Sequence, residues 1–129
     1  MNTDTIFSGS VIHGNQVGRK MGFPTLNILV HTGNIPADGV YVVIAKINKK
    51  QHYGLMSIGY RPTFSNEGNK TIEIHLLDVN KNYYDETVEV TPIAFIRSNE
   101  KFNSVEELKS QIEKDKTAAK NLIKTWGKV

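Results

Sequence analysis

The sequence has no cysteine, which removes disulfides and thiolate-held metal centres from consideration. Its four histidines, His13, His31, His52 and His75, are scattered. They form no HExxH string or other close ligand pair, so a zinc centre built by the chain itself is not expected. No apolar run approaches the roughly 20 residues that cross a bilayer. The opening MNTDTIFSGS lacks the basic start and apolar stretch of a secretory leader. These absences predict a soluble, cytoplasmic protein with no membrane partner. There is also no internal repeat, low-complexity segment or linker. The 129 residues suit one domain, spanning 1–129, around a single core.

Charge is present but unevenly placed. The net charge is +3. From Lys101 onward there are seven lysines against four acids, Glu106, Glu107, Glu113 and Asp115, so that segment carries the whole excess. The expected explanation is a solvated helix face. A nucleic-acid stripe is the alternative, but it lacks interleaved aromatics, so no nucleic-acid partner is expected.

Six β-rich runs fill about residues 5–100. They are Thr5 to His13, Leu26 to Val30, Gly39 to Ile47, HYGLMSIGY (52–60), Lys70 to Asp78 and Glu86 to Arg97. A Pro-Ala-Asp-Gly turn signal precedes the third, and Asn48-Lys49-Lys50 suggests a hairpin between the third and fourth. Closely spaced strands favour a small barrel or sandwich. The tail changes period. Ser104 with Glu107 three residues on is a capping-box pattern. Val105, Leu108, Ile112, Ala119, Leu122, Ile123 and Trp126 recur at helical spacing. One helix is expected over about 104–125, with that face on the barrel and the lysines in water.

Three stretches carry chemistry. In HGNQVGRKMGFPT (13–25), glycines recur at Gly14, Gly18 and Gly22 with Arg19-Lys20 between. Glycines let backbone N–H groups approach an anion, so this could cradle phosphate. It is neither a P-loop nor GxGxxG, and a ligand-free turn remains open. Next come Thr25 and Asn27, two neutral oxygen donors that point to one side of a strand. Magnesium takes oxygen ligands, often few from protein beside phosphates. Turn capping and strand-end satisfaction are the alternative. Third, in KTIEIHLLD, Glu73 and His75 share the less apolar face. A carboxylate there can take a substrate hydroxyl proton. An ordinary solvent-facing glutamate would look the same.

The order of these motifs matters more than any one of them. GSVIHGNQVGRKMGFPTLNI, PADGVYVV, IGYRPTF, IEIHLLD, FIRSNEKFNSVEEL and QIEKDKTAAK follow one another along almost the whole chain. In this the chain resembles riboflavin kinases, free-standing or as one half of a bifunctional FAD synthetase. The first stretch is close to that family's G-x-V-x-x-G…GR-x-[LIM]-G-[FI]-P-T-x-N pattern. The resemblance implies an all-β fold with a C-terminal helix: a six-stranded antiparallel Greek-key barrel. It implies transfer of the γ-phosphoryl of ATP to the 5′-hydroxyl of riboflavin, giving FMN and ADP. The implied metal is Mg2+, with Zn2+ or Mn2+ as substitutes, at Thr25 and Asn27.

The residue roles that follow are also those of the resemblance. Glu73 would be the general base. Gly14, Gly18, Arg19, Thr25, Asn27, His75 and Tyr84 would lie on the ATP side. His75 serves there as nucleotide contact or as support for Glu73. Arg97, Glu100 and Phe102 would lie on the flavin side. Three departures stand out: Leu26 for a usual Ala, Ser57 for a frequent Asn, and Asp85 for a usual Gly. The HxGH-type motif of the adenylyl-transferring domain is absent; if the chain is one half of a bifunctional enzyme, an FAD synthetase domain would be its partner. A nucleic-acid-binding barrel and a flavin carrier without catalysis are the rival readings.

Overall fold

The computed structural model describes residues 6–13, 23–61 and 69–126. All six expected strands form: β1 (Phe7–Ile12), β2 (Leu26–Gly33), β3 (Gly39–Ile47), β4 (Lys50–Arg61), β5 (Asn69–Leu76) and β6 (Thr87–Arg97). They close into an antiparallel barrel in the order β1-β2-β5-β4-β3-β6. β3, β4 and β5 follow as neighbours, and β6 returns beside β3, which is the Greek-key arrangement. Two strands run longer than their sequence pattern suggests. β2 continues to Gly33, paired with Phe7. β4 begins at Lys50, because Asn48 and Lys49, at φ 53° and 66°, make the turn with two residues.

Alternation sorts each strand. Val43, Ala45 and Ile47 of β3 meet Ile72, Ile74 and Leu76 of β5 in a buried inner core. Each such side chain contributes about 1.5–3 kcal/mol by leaving water. Gly9 lies where β1 and β2 shift register, between the pairs Ser8↔Thr32 and Gly9↔Val30. A Cβ there would run into the Leu29 carbonyl, so the close approach requires glycine.

The helix α1 (Val105–Trp126) lies outside the barrel against β4 and β6. Its start is capped as the sequence predicts. The Glu107 amide donates to Ser104 Oγ at 3.1 Å, and the Asn103 amide donates to Glu107 Oε2 at 3.0 Å. Under it, Val40, Val42, Leu55 and Ala119 form a second core with Ile93, Ile96 and Ile123 around it. Two bulges in β6 supply Ile93 and Ile96. The register passes from Val40↔Arg97 to Tyr41↔Phe95, and from Val42↔Ala94 to Val43↔Pro92, leaving Ile96 and Ile93 unmatched.

The packed face of α1 differs from the expected one in three places. Val105 and Leu122 are exposed, at 57% and 42%. Asp115, 3% exposed, occupies the buried stripe between Ile112 and Ala119 instead. The cause is Arg97 of β6, which donates to Asp115 from Nε at 3.0 Å and from Nη2 at 2.9 Å. Gln111 Nε2 adds a third donor at 3.0 Å. A charge can sit in an apolar interface when paired and hydrogen-bonded in this way.

Candidate active site

β2 and β5 meet over few pairs, Leu26↔Ile74 and Asn27↔Glu73. Leu26 and Ile74 point into the core, so Asn27 and Glu73 point outward beside each other. Thr25 stands just before β2. Its Oγ1 donates to Glu73 Oε1 at 3.2 Å. The polar pair and the strand carboxylate of the sequence reading therefore converge on one spot.

The approach to Thr25 is fixed from behind. Phe23 is 4% exposed, its ring edge-on to His75 with centroids 5.8 Å apart. His75 Nδ1 donates to the Pro24 carbonyl at 2.8 Å. Lys116 of α1 holds its ammonium over the Phe23 ring at 5.2 Å, so this lysine is half-buried and does not lie free in water. Burial lowers the His75 pKa below its ordinary 6.5, and Lys116 and Lys120 push the same way; the Pro24 carbonyl and Glu113 oppose them. His75 thus supports the turn that presents Thr25.

A cleft opens from Thr25. Pro24, Thr25, Leu76, Asn80, Lys81 and Tyr84 are among the residues that line it. Tyr84 is stacked on His13, with centroids 3.7 Å apart and planes at 25°. Asp85 follows at φ 68°, a backbone region glycine enters more easily. This departure from the family pattern keeps the left-handed bend, and the Asp85 amide donates to the Val11 carbonyl at 2.9 Å. Gly14, Gly18 and Arg19 lie outside the described residues.

The flavin-side candidates gather near the start of α1. Arg97 lies over the Phe102 ring at 5.9 Å, and its Nη1 is 3.9 Å from a Glu100 oxygen. Most of the guanidinium is engaged by Asp115 and by the Ser98 carbonyl. The register links this group to the first. Asn27, Glu73, Ser57, Val40 and Arg97 are successive partners across β2, β5, β4, β3 and β6. At about 4.8 Å per strand, Glu73 and Arg97 lie roughly 14 Å apart along one row. Asn99 ties the intervening loop down: its Nδ2 donates to the Ile58 carbonyl at 2.9 Å, over Gly59, where a Cβ would stand 2.9 Å from that nitrogen.

Sequence reasoning missed Asp115 and Phe23. Asp115 was visible as a charge inside an apolar helical stripe, which demands a partner. Phe23 was visible only as the [FI] position of the family pattern, because its burial depends on His75 and Lys116, both remote in sequence.

The chain can now be set beside known proteins. The family model described as riboflavin kinase (flavokinase) matches residues 1–123. The chain is 41% identical over 111 residues to the RNA-binding riboflavin kinase RibR of Bacillus subtilis, covering 86% of this chain and 48% of that one. It is 44% identical over 108 residues to the bifunctional riboflavin kinase/FMN adenylyltransferase of Listeria monocytogenes, covering 83% of this chain and 34% of that one. It thus spans less than half the length of these relatives. Among solved structures, one described as a macrolide-efflux protein from Streptococcus pneumoniae matches with a TM-score of 0.82 and 36% identity, over 89% of this chain and 38% of that one. The riboflavin kinase of Trypanosoma brucei shares the fold, with a TM-score of 0.61 and 21% identity, over 92% of this chain and 78% of that one. By the extent of these matches, the chain belongs to the riboflavin kinase family.

Proposed function

We propose that this protein transfers the γ-phosphoryl group of ATP to the 5′-hydroxyl of riboflavin, giving FMN and ADP. The observation that carries the reading is the convergence of Thr25, Asn27 and Glu73 on the β2–β5 seam. Family membership supports it. Glu73 takes the proton of the ribityl hydroxyl, the freed oxygen bonds to the γ-phosphorus, and the bond to the ADP oxygen breaks. Chemistry of this kind needs positioning and charge stabilisation more than covalent help from protein. Tyr84 and the cleft beneath it take the nucleotide, with Gly14, Gly18 and Arg19 assigned to its phosphates and His75 holding the Pro24 turn. Arg97, Glu100 and Phe102 are assigned to the flavin.

The donor set at the seam fits magnesium. The Thr25 hydroxyl gives its hydrogen to Glu73, which leaves its oxygen lone pairs for a cation. Asn27 adds a carboxamide oxygen of matching hardness. No cluster of three His, Cys, Asp or Glu that could hold a metal exists among the described residues. That suits an ion held by few protein oxygens together with phosphate. When bound, the ion supplies charge neutralisation at the phosphates. Zn2+ or Mn2+ would serve as substitutes.

The deciding experiment is incubation with Mg-ATP and riboflavin, with FMN measured by chromatography. FMN and ADP should appear in equal amounts, and no FMN would overturn the reading. Glu73→Gln should lower kcat by about 100-fold or more, the scale of general-base catalysis, with riboflavin affinity little changed. Near-normal turnover would remove Glu73 as base. Thr25→Ala should raise the magnesium concentration needed for half-maximal rate. In bifunctional relatives an adenylyltransferase region stands beside the kinase, and we assign this chain the kinase step alone. It would supply FMN to such a partner.

A further inference from the structure

The segment between β5 and β6 forms one wall of the cleft, through Asn80, Lys81 and Tyr84. Its ends are tied by backbone: the Leu77 amide donates to the Tyr53 carbonyl at 2.9 Å, and the Asp85 amide donates to the Val11 carbonyl at 2.9 Å. Between those ties the backbone is not regular, and Tyr83 itself sits at φ 52°. A non-glycine residue holds that conformation only where its surroundings fix it.

His52 supplies the fixing contact. It lies on β4 in the inward alternation with Met56 and Ile58 and is 3% exposed. Its Nδ1 is 3.2 Å from both carboxylate oxygens of Asp78. Its Nε2 is 3.5 Å from the Tyr83 hydroxyl. In the Nδ1–H tautomer each atom is used once: Tyr83 donates to Nε2, and Nδ1 donates to Asp78. Lys81 places its ammonium 5.1 Å from the centre of the Tyr83 ring on the outside. One buried imidazole therefore grips the segment at two residues five apart, and the cleft-lining Asn80 and Lys81 lie between the two grips.

We propose that His52 is a positioning residue for the nucleotide. It acts through Asp78 and Tyr83 to hold the 79–84 segment in place beside Thr25, where the nucleotide would lie. His52 is buried and is not among the residues that line the cleft. The inference rests on the kinase reading, and it adds a residue to which neither the sequence pattern nor the convergence at Glu73 assigns a role.

The test separates the two. Wild-type FMN formation checks the kinase reading. The inference is checked by steady-state kinetics of His52→Phe, Tyr83→Phe, Asp78→Ala and Asp78→Asn. Losing the grip should raise the ATP KM roughly 5–10-fold, the worth of about one hydrogen bond. The riboflavin KM should stay within about twofold of wild type, because the flavin side lies across the barrel. Asp78→Asn should restore most of the ATP KM that Asp78→Ala loses, since the carboxamide oxygen still accepts from Nδ1. The pair His52→Phe/Asp78→Ala should be no worse than His52→Phe alone.

Should His52→Phe fail to fold, Tyr83→Phe and Asp78→Ala carry the test, since Asp78 is largely exposed. Amide exchange across 79–84 reads the grip without turnover, and should rise in the two variants that remove a partner. An ATP KM unchanged in folded Asp78→Ala and Tyr83→Phe, or an equal rise in both KM values, would overturn the proposal. So would unaltered exchange at 79–84.

Discussion

His75 is expected from the sequence as a nucleotide contact or as support for Glu73, and the structure ties it to the turn before β2. It shares a strand face with Glu73. The fold places its Nδ1 on the Pro24 carbonyl and its ring edge against Phe23. Burial lowers its pKa, so the folded state favours the neutral ring more than the unfolded chain does. The stability this contributes is full above about pH 6.5 and is lost as pH falls from there through the folded-state value. Thermal unfolding of wild type should therefore weaken between pH 7 and pH 5 more than that of His75→Gln. Equal pH slopes would contradict the burial account. Thr25, Asn27 and Glu73 were legible as types and spacings, but their convergence was not, since it depends on pairing between strands distant in sequence.

At the scale of elements, α1 is fastened to the barrel by apolar packing and by one buried ion pair. Arg97 and Asp115 are 17% and 4% exposed at their side chains. Removing one partner of such a pair leaves the other desolvated and unpaired. Asp115→Ala should therefore destabilise by roughly 3 kcal/mol, near the lower end for buried pairs because Arg97 keeps the Ser98 carbonyl and Glu100 nearby. The apolar double variant Arg97→Met/Asp115→Leu should recover most of that loss in urea unfolding. If Arg97 also serves the flavin, the double variant will be stable yet bind riboflavin poorly. The strands were readable from alternation in β5 and the first half of β6, and from β-branched runs and turn signals around β3. The helix was readable from its cap. The two bulges of β6 were not, because Pro92 and a run of apolar residues look the same whether Ile93 and Ile96 turn inward or outward.

The whole molecule is a charge-balanced barrel followed by a basic C-terminal segment, a distribution fully visible in the sequence. What the sequence hid is that one of the helix lysines is engaged: Lys116 covers Phe23 beside the candidate site. The remaining excess is small, and a relative described as RNA-binding makes nucleic acid the natural control. With a net charge of +3, oligonucleotide binding should be weak and should vanish by about 0.15 M salt. Affinity that survives that salt, measured by fluorescence anisotropy, would add a nucleic-acid partner to the proposed function.

The β2–β5 junction has a consequence for how the protein comes into being. Thr25 and Glu73 are 48 residues apart in the chain, and their strands share few register pairs. The hairpin of β3 and β4, by contrast, turns through two residues and pairs along its whole length. Local pairings form before distant ones, because the entropy of closing a long loop must be met first. The candidate catalytic spot therefore forms only when two strands distant in sequence meet, as β1 and β6 must also do through pairs such as Phe7↔Val90. A nascent or refolding chain would already carry its β3–β4 hairpin while the candidate site is still unassembled.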